Sequence, residues 1–236
     1  MHPEIQIQKK LNEQLKTTPA PHPKNLWFDI FIYSLFIFAI ISVYIFALQG
    51  VYDLRALSRA TANVSIILIG FSFMLSGLCY FWNFADKFII YRKQLGVIGF
   101  IYALIHTTIV LYKSGTLMRL IPTSLSSRGD IALLSAEIAI IIYVSMIIAS
   151  TQTVMHEIGG IRWRQFLRFG YTALFLSLLH MALHGYRVWL AWLNGTSEGI
   201  FPPIGLLIFI FGIAVLLLRI RLWFATHFKR NQSSLT

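Results

Sequence analysis

The sequence predicts an all-α integral membrane protein, a bundle of six transmembrane helices with both termini on the cytoplasmic side. Three observations predict it. Of 236 residues, 57% are hydrophobic and 12% charged, roughly half the charged share of a soluble domain. Apolar runs long enough to cross a bilayer recur along the chain. The cations gather in the gaps between those runs, more heavily in alternate gaps.

Residues 1–26 are polar and read as a cytoplasmic N-terminal segment. Residues 3–18 could form a weakly amphipathic helix, which the run PAPHP at 19–23 stops as a stiff linker. No apolar core of a signal peptide stands there, so the first span is expected to act as its own uncleaved insertion signal. Six spans are predicted at 27–48, 62–84, 94–112, 131–150, 166–192 and 203–224. They make one domain over 27–224, followed by a cytoplasmic tail at 225–236. No internal repeat is evident, which disfavours an inverted-repeat transporter.

Orientation follows from Lys and Arg. The N-terminal segment, the loops at 87–93 and 162–168 and the C-terminal end together carry 14 of the 20, against 6 on the other side. The positive-inside rule then puts both ends in the cytoplasm, as an even number of spans requires. The net charge of +11 thus belongs to topology and to lipid headgroups rather than to nucleic acid. Cys79 stands alone inside an apolar run, a small buried residue rather than half of a disulfide or a zinc site.

Four of the seven histidines, His2, His22, His156 and His227, fall in polar ends or loops. His106, His180 and His184 fall within spans, where an ionisable side chain is a functional candidate and an interhelical hydrogen bond the plainer use. His106 and His180 each precede an outer-side cation, Lys113 and Arg187, by seven residues. At ~1.5 Å per residue both imidazoles lie about 10 Å below that ring of charge. Two imidazoles at one depth on different helices suit a six-coordinate heme iron. Gly96, Gly99 and Ala103 precede His106 at the spacings at which Gly170, Ala173 and Ser177 precede His180. These stripes of small residues fit close helix packing, or room for a flat cofactor. His184, one turn further out, is an alternative ligand, a propionate partner or a substrate contact.

Arg92, Lys93 and Gln94 open the third span, and Arg162, Trp163 and Arg164 stand before the fifth. Their plain role is topology and headgroup contact; the functional one is a cradle for an anionic donor such as a flavin phosphate, with Trp163 stacking on a ring. With no GxGxxG after a strand and no Walker loop, the chain holds no soluble nucleotide-binding reductase domain. Electrons would have to come from a partner or a loosely held cofactor.

The run Arg92-Lys93-Gln94-Leu95-Gly96, then Phe100 and His106, resembles the third-helix motif of the ferric-reductase-like transmembrane superfamily, and closely its STEAP metalloreductases. Ser150-Thr151-Gln152, Gly160, Arg162-Trp163, His180 and Trp189 resemble its YedZ (MsrQ) branch, and together these motifs cover about residues 90–190. The resemblance implies a multi-pass cell-membrane protein of the bacterial inner membrane, an oxidoreductase component with one heme b on His106 and His180. It also implies a cytoplasmic-side donor (a flavin, FAD or FMN, a quinol, or a reductase protein) and an outer-face acceptor. In STEAP proteins that acceptor is a metal ion, here a ferric chelate; in YedZ-like proteins it is a periplasmic methionine sulfoxide reductase. Leu167 stands where the YedZ branch has a further histidine, which argues against a second heme. The STEAP reductase domain is not matched, since only polar residues precede the first span. A non-redox scaffold or channel, with histidines that only pair helices, is the reading of another class.

Overall fold

The structure, a computed structural model, describes residues 25–114, 127–197 and 200–233. The expected helix at 3–18 and the PAPHP linker lie outside the described residues. So does the side chain of Arg164. Among the described residues the chain is all helix: α1 Leu26–Gln49, α2 Leu54–Phe81, a 3-10 segment Asn83–Tyr91, α3 Arg92–Ser114, α4 Arg128–Ala149, α5 Gln152–Ile158, α6 Gly160–Phe166, α7 Phe169–Leu193 and α8 Ile204–Ser233.

Five helical stretches are long and apolar enough to cross a membrane: α1, α2, Asn83–Lys113, α4 and the Ile204–Ala225 part of α8. Helix α7 has 25 residues but carries His180, His184, Arg187 and two tyrosines, and does not reach the same apolarity. The protein is thus multi-pass by composition and length, and its apolar outer faces suit a lipid bilayer.

Helix α2 is the hub. Its apolar window is 56% buried, against 17–22% for the other four stretches. Ala56, Ala60 and Val64 are fully buried, and α1, α3 and α8 all pack on it. Between apolar helices in lipid the attraction is mainly close van der Waals packing, which small side chains permit. Helix α2 begins well before the expected residue 62. Arg55 and Arg59 read as loop residues, yet the Asp53 carboxylate accepts the Ala56 N–H at 2.8 Å and caps the helix ahead of them. Arg59 then donates to the Gln49 side chain at 2.7 Å, tying the end of α1 to the start of α2.

A second packed pair is α4 with α7. Helix α4 opens on a capping box, in which Ser127 Oγ accepts the Asp130 N–H at 3.2 Å and Asp130 Oδ2 accepts the Ser127 N–H at 3.0 Å. After α4 the chain turns back through α5 and α6, with Gly159 at φ 80° between them, a left-handed value that glycine alone adopts freely. Helix α8 extends beyond residue 224, so the expected tail is helical as far as Ser233.

Candidate functional site

His106 lies on α3 and His180 on α7, and both are half-buried. Each is held by the same device. His106 Nδ1 lies 2.8 Å from the Ser58 carbonyl oxygen on α2, with Ser58 Oγ at 3.0 Å. His180 Nδ1 lies 2.8 Å from the Ala132 carbonyl oxygen on α4. A carbonyl can only accept, so in both rings Nδ1 carries the proton and Nε2 is left as the lone-pair nitrogen. Anchoring one ring nitrogen so that the other is presented at a fixed angle is how proteins prepare a histidine for a metal.

The two histidine helices barely touch one another; each is backed by its own partner, α3 by α2 and α7 by α4. His184 is exposed, and its ring rests edge-on against His180 at 4.8 Å between centroids. It makes no hydrogen bond among the described residues. Among the described residues no group of three or more His, Cys, Asp or Glu side chains gathers to hold a bare metal ion. Two imidazoles are the right complement only for a metal that brings most of its ligands with it, as iron does in a macrocycle.

The small-residue stripes are packing surfaces. A Cβ on Gly99 would stand 2.8 Å from the Ile69 side chain and 3.0 Å from its backbone, and one on Gly96 3.2 Å from Ser72 Oγ. Gly170 is closed over by Phe73 and Met146, Ala173 is fully buried, and Ser177 lies 3.4 Å from the Tyr143 hydroxyl. Room for a flat cofactor along these stripes is therefore not what the small residues provide; neighbouring helices already fill it.

The expected donor cradle separates into three places. Lys93 Nζ donates to the Ser150 carbonyl at 3.3 Å and Trp163 Nε1 to the Ala149 carbonyl at 2.9 Å. Both close the C-terminal end of α4, where unpaired carbonyls favour donors and positive charge. Arg92 comes within electrostatic reach of Tyr171 and Arg219, and the Arg219 guanidinium lies 4.9 Å from the Tyr171 ring. Gln94 is 8% exposed and lines a cavity of about 470 Å³ with Asn25, Leu26, Trp27 and Phe28. Its Oε1 has no hydrogen-bond partner among the described residues.

A second cavity, of about 420 Å³, is lined by Arg55, Ser58, Arg59, Val110 and Lys113. It adjoins the His106 anchor through Ser58. Arg55 and Arg59 are two of the six cations the sequence places on the outer side; nothing in their spacing to Lys113, on another helix, announces a shared cavity.

No protein-family model matches the chain, and no match is found among curated proteins.

Proposed function

We propose that the chain is the membrane unit of a b-type electron carrier, with six spans, cytoplasmic termini and one heme b held by His106 and His180. One observation carries this reading: the paired anchoring of both Nδ1 atoms on helix carbonyls, which leaves two Nε2 lone pairs on two helices that do not pack together. His106 and His180 would hold the heme, which would supply a one-electron couple when bound. Helix α7 serves as the sixth span, because its 25 residues reach about 37 Å, beyond the ~30 Å hydrocarbon core. Its lower apolarity comes from His180, the proposed ligand, and from His184, Arg187, Tyr171 and Tyr186.

At the cytoplasmic end, Gln94 supports a donor site. A buried amide oxygen without a partner costs on the order of 1–3 kcal/mol, and a quinol hydroxyl or a flavin ring N–H would satisfy it. Arg92 and Arg219 add positive charge on that side, while Lys93 and Trp163 serve the scaffold. At the outer end, Arg55, Arg59 and Lys113 around one cavity favour an anionic acceptor such as a ferric chelate over a bare cation, which three positive charges repel.

The test is a reduced-minus-oxidised absorbance spectrum of the purified protein, expressed with heme supplied. A b-type α-band is expected, and it should be lost in His106→Ala and in His180→Ala. No band in the wild type would return the histidines to helix pairing in a non-redox scaffold or channel. Robust reduction of a periplasmic methionine sulfoxide reductase, with no reduction of ferric chelates, would keep the heme and replace the acceptor.

A further inference from the structure

The two histidine anchors share one plan, to which Ser58 Oγ adds a contact with His106 Nδ1 at 3.0 Å that Ala132 cannot make with His180. In each, the imidazole meets a carbonyl 48 residues earlier in the chain. That carbonyl lies in the first turns of the partner helix, just past a side-chain cap, Asp53 for α2 and Ser127 for α4. In each, a hydroxyl three residues on donates to the same oxygen: Thr61 Oγ1 to the Ser58 carbonyl at 2.9 Å, Ser135 Oγ to the Ala132 carbonyl at 2.7 Å. A constant offset of 74 residues superposes Asp53 on Ser127, Ser58 on Ala132, Thr61 on Ser135, Gly96 on Gly170, Ala103 on Ser177 and His106 on His180.

Serine and threonine in apolar helices commonly bond back to a carbonyl three or four residues earlier. Ser34, Thr107 and Ser145 do so here, and no histidine shares the oxygen they use. Among the described residues, only at Ser58 and Ala132 does one carbonyl take both a hydroxyl and an imidazole. Such an oxygen also accepts the helix's own N–H from four residues on, so three donors compete for two lone pairs. The hydroxyl weakens what the carbonyl can offer the ring. A weaker Nδ1–H acceptor makes the imidazole a poorer electron donor, which disfavours the oxidised metal.

We propose that Thr61 and Ser135 are positioning residues that raise the reduction potential of the iron by loading the two carbonyls that anchor His106 and His180. The proposal rests on the heme reading above. Ser135 is the cleaner of the two, because Thr61 Oγ1 divides its bond between the Ser58 and Leu57 carbonyls, the latter at 3.1 Å. Ser135 is also 4% exposed, so no water replaces the lost hydroxyl.

The experiment is a potentiometric titration of the b-type band in Ser135→Ala, Thr61→Val and the double variant, with Ser135→Thr as the hydroxyl-retaining control. Both single variants should keep the band and move toward the oxidised form. At fixed ambient potential, the oxidised-to-reduced ratio should rise about two- to ten-fold, the range one hydrogen bond commands. A tenfold change reads as ~59 mV for a one-electron couple. The shift in Ser135→Ala should exceed that in Thr61→Val, the double variant should give their sum, and Ser135→Thr should titrate as wild type. An intact band with an unmoved or raised midpoint in both single variants overturns the proposal and leaves the heme in place. Absence of the band in the wild type overturns both. A variant that loses the band while Ser135→Thr keeps it assigns the hydroxyl to folding and also overturns the proposal.

Discussion

His184 shows how much a single side chain can mislead a reading by depth alone. It lies one turn beyond His180, with its ring centroid 4.8 Å from that imidazole, yet its Nδ1 has no carbonyl anchor among the described residues and its ring is exposed. A ligand must be held against rotation about two side-chain bonds, and only the anchored pair is. His184→Ala should therefore keep the b-type band, and a band lost in that variant would move the ligand from His180 to His184. Glycine 170 gives a second outcome at this scale. With Phe73 and Met146 closed over it, Gly170→Val forces side chains out of place, and overpacking of this kind costs about 1–3 kcal/mol. A lowered thermal midpoint in detergent measures it. The candidate histidines were legible in the sequence because an ionisable group in an apolar run stands out. The anchoring carbonyls were not, since a backbone oxygen has no sequence signature and Ala132 has no polar side chain at all. The small-residue stripes were legible as stripes, but what fills them is decided by neighbouring helices.

Helix ends were the least legible elements, and the two caps explain why. A reading by apolarity started α2 at residue 62 because Arg55 and Arg59 interrupt it, whereas Asp53 starts the helix by satisfying the Ala56 N–H. That bond holds the Asp53 carboxyl below its ordinary range. A depressed carboxylate stabilises the fold at pH values above its unfolded pKa, near 3.9, and the contribution is lost as pH falls through the folded value. Acidification below about pH 4 should thus fray the start of α2, seen as faster amide exchange at Ala56 and Leu57. Asp53→Asn, which caps without ionising, should remove that pH dependence; its persistence would place the acid sensitivity elsewhere. At α4 the capping box offers a sharper loss, since both Ser127 and Asp130 are engaged. Ser127→Ala should cost ~1 kcal/mol, read as a lower melting temperature. Because Ala132 lies within the first turns of α4, the same variant should also loosen the His180 anchor.

Among the described residues two helix pairs, α2 with α3 and α4 with α7, each present one anchored imidazole, while α1 packs on α2 and α3, and α8 on α2 and α7. The repeat escaped a reading of residue identities because few residues coincide; what recurs is a cap, a carbonyl, a hydroxyl and a histidine in fixed register. That register makes a demand on topology. If the pairs are equivalent, α7 must cross the membrane as α3 does, even though α3 with its preceding segment meets the apolarity of a span and α7 does not. Six crossings bring the ends of the chain to one side, while five would separate them. The excess of Lys and Arg at both ends favours one side, the cytoplasm. Single cysteines in a Cys79→Ser background decide the matter with a membrane-impermeant maleimide on intact cells. Gln165→Cys, before α7, should be protected, and Asn194→Cys, after it, should be labelled, both positions being exposed. Equal labelling at the two would leave α7 on one side of the bilayer. His180 would then lose its level with His106, and the two imidazoles could not share one iron.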